Sequence, residues 1–67
     1  MSVETRFEMI RKLILQVLRK NKDGLTFSEL VKNVGFSQEN ISEVLYELVY
    51  YSPLVTIKEE KYYRNSM

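Results

Sequence analysis

The residue types that most often carry out chemistry in proteins are missing from this chain or stand apart. Its 67 residues contain no His and no Cys, so the commonest general base, a thiolate nucleophile and most zinc ligands are excluded. Two carboxylate pairs remain, Glu59–Glu60 in a predicted turn and Glu43–Glu47 on an open helix face. A chain this small rarely encloses a pocket around such a pair. The composition therefore predicts no enzyme, no metal site and no cofactor.

The length allows one domain over residues 1–67 and no second core. Such a chain buries only about 60% of the surface that its unfolded form exposes, so its stability is marginal or shared with a partner. Its longest apolar run, 13–15, is far short of the roughly 20 apolar residues of a membrane-spanning helix. The start of the chain has no signal-type apolar core. We therefore expect a soluble cytoplasmic protein with no membrane partner.

The first helix is predicted at about residues 4–20. Its buried face would contain Phe7, Ile10, Ile14, Val17 and Leu18. Its apolar arc extends further, through Met9, Leu13 and Leu15, and is wider than a third helix and a hairpin should cover. Exposed apolar surface of this extent usually marks an interface, so Met9, Leu13 and Leu15 are predicted to form a symmetric homodimer contact. Alternatively, Met9 and Leu15 are scattered surface residues that need no partner.

The second helix is predicted at about residues 27–34 from the residues that flank it. Thr26 and Glu29 have the spacing of a capping box, in which each side chain accepts from the backbone amide of the other residue. Gly35 suits the left-handed conformation that commonly ends a helix. The connection from Gly35 to the next helix start is then only three residues long.

The third helix and a hairpin are predicted because the spacing of the apolar residues changes beyond Pro53 from a helical to a strand-like pattern. Ser37 is a good N-cap, and Pro53 disfavours the helical state in the residue before it, which places a helix at about 38–51. Beyond Pro53, β-prone residues flank a polar turn and predict a hairpin at about 54–64. The predicted core consists of Phe7, Ile10, Ile14, Leu30, Phe36, Ile41, Val44, Leu45, Leu48 and Ile57.

This order of elements resembles the winged helix-turn-helix family. The resemblance rests on residues 24–30 (GLTFSEL), 34–37 (VGFS), 41–48 (ISEVLYEL), 55–57 (VTI) and 62–64 (YYR), and it covers nearly the whole chain. It implies a mainly α fold of three helices with a small β-hairpin, the wing. In DNA-binding members the third helix lies in the major groove. Winged helices also serve as protein-docking modules, so the fold alone does not decide the function.

If the chain binds DNA, the resemblance implies contacts from the start of the third helix and from the wing. The predicted DNA-binding residues are Ser37, Gln38, Asn40, Ser42, Tyr46, Lys58, Lys61 and Arg64. A small transcriptional regulator acting as a homodimer on double-stranded DNA is the first functional hypothesis. The same residues also fit a simpler interpretation, in which Ser37 is only an N-cap and the lysines belong to a solvated turn with Glu59 and Glu60.

The charge distribution supports a second hypothesis. Residues 1–22 carry six basic groups and two carboxylates, whereas residues 37–53 carry three Glu and no basic group. Because phosphates dominate the affinity of proteins for DNA, an acidic third helix works against docking there. Tyr is enriched at protein interfaces, and Tyr46 and Tyr50 are predicted on the outer side of this helix. The alternative function is therefore a protein-interaction module that binds a basic protein partner and no DNA.

Overall fold

A computed structural model describes residues 5–65, so the predicted helix start at residue 4 and both ends of the predicted 1–67 domain lie outside the described residues. The elements are α1 (Arg6–Lys20), β1 (Leu25–Thr26), α2 (Phe27–Val34), α3 (Gln38–Tyr46), a π-helical segment (Glu47–Tyr51), β2 (Val55–Lys58) and β3 (Lys61–Arg64). The predicted fold class, mainly α with three helices and a small β-hairpin, is confirmed. Within residues 5–65, no helix combines the length and apolarity needed to cross a membrane.

Two capping boxes place the starts of α1 and α2. The predicted box is present: the Glu29 amide donates to the Thr26 hydroxyl at 3.2 Å, and the Thr26 amide donates to the Glu29 carboxylate at 2.9 Å. A second box, which sequence analysis missed, joins Thr5 and Glu8 with the corresponding bonds at 3.1 and 3.2 Å. Gly35 has φ = 82° and ends α2 as predicted. Local hydrogen bonding therefore defines both short connections around α2.

The predicted third helix is helical over its whole span, but its last five residues form a π-helical segment. The Ser52 amide donates to the Glu47 carbonyl five residues earlier at 2.9 Å. Pro53 has no amide hydrogen and cannot extend the helix, so the chain leaves at this point. Single π turns inside helices occur often at functional sites, because the wider turn redirects the side chains that follow.

The core lies where α1, α2, α3 and the hairpin meet. Its buried residues are Ile10, Ile14, Leu18, Leu25, Leu30, Val34, Ile41, Val44, Leu45, Leu48 and Val55. Of the predicted core residues, Phe36 is half-buried against this cluster, and two predictions were wrong. Phe7 is 37% exposed because it lies one turn before Ile10, the first buried position of α1. Ile57 is 43% exposed because it lies near the hairpin tip, beyond Val55.

The hairpin belongs to a three-stranded antiparallel sheet of order β1-β3-β2, because Leu25 and Thr26 pair with β3. The turn contains only Glu59 and Glu60, with φ of 51° and 67°. Two left-handed residues are typical of a type I′ turn, which usually contains Asn-Gly. A left-handed residue other than Gly costs about 1–2 kcal/mol, so this turn is stabilised by its strands rather than by its own residues.

A close contact between Gly24 and Tyr63 joins the α1–β1 turn to β3. A Cβ built on Gly24 would lie 2.6 Å from Cε2 of the Tyr63 ring, and φ at Gly24 is 84°. Gly35 has nearly the same φ of 82° but no atom within 4 Å of its Cβ position. The two glycines therefore share the same backbone requirement, and only Gly24 is also required by packing.

We predict that Gly24→Ala destabilises the fold more than Gly35→Ala does. Both substitutions place Ala at a positive φ, at about 1–2 kcal/mol each. Gly24→Ala also displaces the Tyr63 ring, which should cost about 1 kcal/mol more. Urea unfolding of the two variants, alone and combined with Tyr63→Ala, measures this difference. Equal losses for the two glycines, or a difference that persists after Tyr63→Ala, would contradict the assigned contact.

Candidate nucleic-acid and protein interface

The exposed surface of α3 is defined by the side that it buries. Ile41, Val44 and Leu45 in α3 and Leu48 in the π-helical segment face the core. The opposite side presents an outer strip of Glu39, Glu43, Tyr46 and Tyr50, all of which are exposed. This strip is the surface through which α3 is available to a partner.

The first turn of α3 contains most of the predicted base-contacting residues. The Ser37 hydroxyl accepts from the Asn40 amide at 3.2 Å, so Ser37 is the N-cap. Asn40 is half-buried, whereas Gln38 and Ser42 are exposed next to the outer strip. Gln38 and Ser42 are therefore the residues of this turn best placed to contact a ligand, while Ser37 acts through the geometry of the helix start.

Glu47 was wrongly placed on the outer side of the third helix. Its carboxylate accepts from Arg11 Nε at 3.0 Å and from the Ser52 hydroxyl, and it is 25% exposed. The Ser52 hydrogen bond, followed by the Arg11 interaction, holds the pKa of Glu47 below its ordinary value. Glu47 thus ties the end of the helix to α1 as an ion pair. The outer strip keeps two carboxylates rather than three, and it is less repulsive to phosphate than the sequence implied.

The three predicted wing cations have different surroundings. Lys58 is exposed beside the turn. Lys61 is half-buried opposite Thr26, and its charge helps to lower the pKa of Glu29, after the larger effect of the Thr26 hydrogen bonds. Arg64 is half-buried and donates from Nη1 to the carbonyls of Leu54 at 3.2 Å and Asn65 at 2.9 Å. Lys58 is therefore the most available of the three cations, and Arg64 is engaged by the backbone.

Three tyrosine rings cluster on the exposed end of the helix. The centroid of the Tyr46 ring lies 4.8 Å from that of Tyr50 and 5.8 Å from that of Tyr51. Tyr46 and Tyr50 are one α-helical turn apart, and Tyr51 contacts Tyr46 because the π turn shifts it onto the same side. All three rings are more than half exposed. Clustered exposed aromatic side chains are typical of binding surfaces.

A groove separates these tyrosines from the hairpin. We call it the tyrosine groove; it is lined by Ser42, Leu45, Tyr46, Val49, Tyr50, Ile57 and Tyr62. Burial raises the pKa of Tyr62, with a smaller contribution from Tyr50. The groove was not predicted from the sequence. The spacing of Tyr46 and Tyr50 was a usable signal, but the part played by Ile57 depends on how the hairpin packs beside α3.

The predicted dimer residues do not form one continuous patch. Met9 is 44% exposed, and Leu13, four residues later on the same side of α1, is half-buried against the core of its own chain. Leu15 lies on the other side of α1, half-buried next to Arg64 and Asn65. Leu15, which was expected to be exposed, is thus half-buried near the end of the hairpin, and the exposed apolar surface of α1 is narrower than predicted.

Comparisons of the chain with protein-family models, with curated proteins and with solved structures found no match. Among residues 5–65, no group of three or more carboxylates is arranged to hold a metal ion.

Proposed function

We propose that this chain is a winged helix-turn-helix domain that binds duplex DNA and acts as a transcriptional regulator. The observation that carries this proposal is the placement of α3. Its inner side is buried, while Gln38 and Ser42 are exposed near its start, and the hairpin with Lys58 near its tip runs beside it. A helix presented in this way fits the major groove, and an adjacent hairpin can reach the backbone or the minor groove.

The two parts of this surface would have different tasks. Gln38 can pair with the edge of an adenine, and Ser42 can bond to any base, so the start of α3 would supply sequence preference. Lys58, with Lys61 behind it, would contact phosphates and hold the register of the helix. Glu39 and Glu43 can accept from cytosine but repel phosphate, so we expect weak binding by a single domain.

We predict that Lys58→Ala with Lys61→Ala weakens binding to all duplexes alike. The slope of log affinity against log salt should become shallower by roughly two units, because two phosphate contacts are lost. Gln38→Ala should instead narrow the gap between preferred and random sequences. Fluorescence anisotropy between about 50 and 200 mM salt measures both effects. A control variant, Arg6→Ala with Lys20→Ala, removes the same charge from the two ends of α1, outside α3 and the hairpin. Equal losses in the control and the hairpin variant would contradict the proposed surface.

The exposed tyrosines favour a second candidate function, a protein-docking module. Tyr46, Tyr50 and Tyr51 lie on the same surface as Glu39 and Glu43, and this combination suits a basic protein partner. Binding of random duplex DNA, measured as a function of salt concentration, distinguishes the two functions. Binding of random duplex with a steep salt dependence supports the DNA function, and no binding at low salt supports the docking module.

A homodimer through α1 is part of the proposed DNA function, because two copies would double the phosphate contacts and read paired half-sites. Of the predicted contact, we retain the side of α1 that carries the exposed Met9 and the half-buried Leu13. The proposal includes a cytoplasmic location for the chain.

We predict that the chain sediments as a dimer at about 100 μM, well above the dissociation constant of a functional dimer. Met9→Glu should shift it to a monomer, because the substitution buries a charge at the proposed contact. Ser28→Glu adds the same charge at an exposed position on α2, outside the proposed contact, and should leave the dimer intact. A wild-type monomer at this concentration would contradict the proposal.

A further inference from the structure

We propose that a trough along α3, made of the tyrosine groove and the surface around Glu39 and Glu43, binds an extended segment of a partner protein. This segment contains prolines and a basic residue. The inference rests on the second candidate function, the docking module, and it names the chemistry of the partner. It goes beyond the DNA contacts proposed above, because its main site is the tyrosine groove rather than the start of α3 and the hairpin tip.

The trough consists of two adjoining parts. The tyrosine groove meets a second hollow, lined by Phe27, Gln38, Glu39, Ser42 and Glu43. Ser42 lines both parts, so the groove and the shallower second hollow adjoin along α3. One half is aromatic and the other contains two carboxylates. A ligand that fills both halves must therefore present apolar surface at one end and positive charge at the other.

The aromatic half suits a polyproline II segment. Tyr46 and Tyr50 form one wall, and Ile57 and Tyr62 form the facing wall on the hairpin. Aromatic-lined grooves bind prolines because the rings pack on this stiff helix, whose ordering entropy is low. A polyproline II segment also leaves its backbone carbonyls without internal partners, and tyrosine hydroxyls can donate to them.

The acidic half supplies charge complementarity. Glu39 and Glu43 are both exposed there, and residues 37–53 contain no Lys or Arg. From Glu39 to Tyr50 the helix rises about 16 Å, which corresponds to roughly five residues of polyproline II. A basic residue next to a short proline run would place its charge at the carboxylates while the prolines contact the rings.

The test uses two synthetic peptides and the ¹⁵N-labelled full chain. The probe has five prolines with an arginine at each end, so its direction of binding does not matter. The control peptide replaces the prolines with glycine and serine and keeps both arginines. The proposal predicts that the proline peptide shifts the amides of Ser42, Tyr46, Tyr50 and Ile57, and that the control peptide binds about tenfold more weakly.

Two pairs of variants separate the contributions of the rings and of the charge. Tyr50→Ala should weaken the proline peptide about tenfold, whereas Phe7→Ala, which removes an exposed aromatic ring on α1 outside the groove lining, should change affinity less than about twofold. Glu39→Gln with Glu43→Gln should weaken it about threefold, and Asp23→Asn with Glu59→Gln should not. Amide spectra of the unbound variants verify that the fold is kept.

The outcomes distinguish this inference from the functions on which it depends. Equal binding of both peptides, abolished by Tyr50→Ala, would overturn the proline preference while leaving a docking module in place. Shifts from neither peptide would overturn the proposed partner class. If a random duplex binds and neither peptide binds, the α3 surface is assigned to DNA. That result would overturn both the inference and the docking module.

Discussion

The structure depends on the buried stripe of α1. Ile10, Ile14 and Leu18 are at most 1% exposed, and α1 packs against α2, α3 and β3. Complete burial of such a side chain contributes about 1.5–3 kcal/mol, a large share of the stability that a domain of this size can reach. Packing against α1 therefore fixes both the angle of α3 and the position of the hairpin beside it. Because the tyrosine groove lies between α3 and the hairpin, its shape is fixed as well.

The same packing decides the electrostatics of the exposed surface. Because α3 turns its flank toward α1, Glu47 meets Arg11 and is withdrawn from the outer strip. The hairpin turns Arg64 toward its own backbone and α1, and leaves Lys58 exposed near its tip. The surface open to a partner thus combines polar, acidic and aromatic groups with the exposed Lys58, and for this reason we propose two candidate functions.

Local signals in the sequence were sufficient to predict the helices, because apolar periodicity, the Thr26–Glu29 capping box, the N-cap Ser37 and the left-handed Gly35 all act within a few residues. The errors occurred where distant elements decide the outcome. Ile57 has the pattern of a core residue but lies near the hairpin tip, and Leu15, which was expected to be exposed, is half-buried near Arg64 and Asn65. Similarly, nothing local to Tyr51 indicated the π turn that brings it onto Tyr46. The start of α3 could be proposed as a site from the sequence, whereas the groove depends on packing between distant elements and could not.

The central claim is that α3 and the hairpin, rather than the basic α1, form the binding surface. Amide shift mapping of the ¹⁵N-labelled chain titrated with a random duplex at low salt tests this claim most directly. The account predicts shifts at residues 37–42 and 58–61, and none at Arg19 and Lys20 in the last turn of α1. Shifts confined to Arg19 and Lys20, with residues 37–42 and 58–61 unchanged, would contradict it.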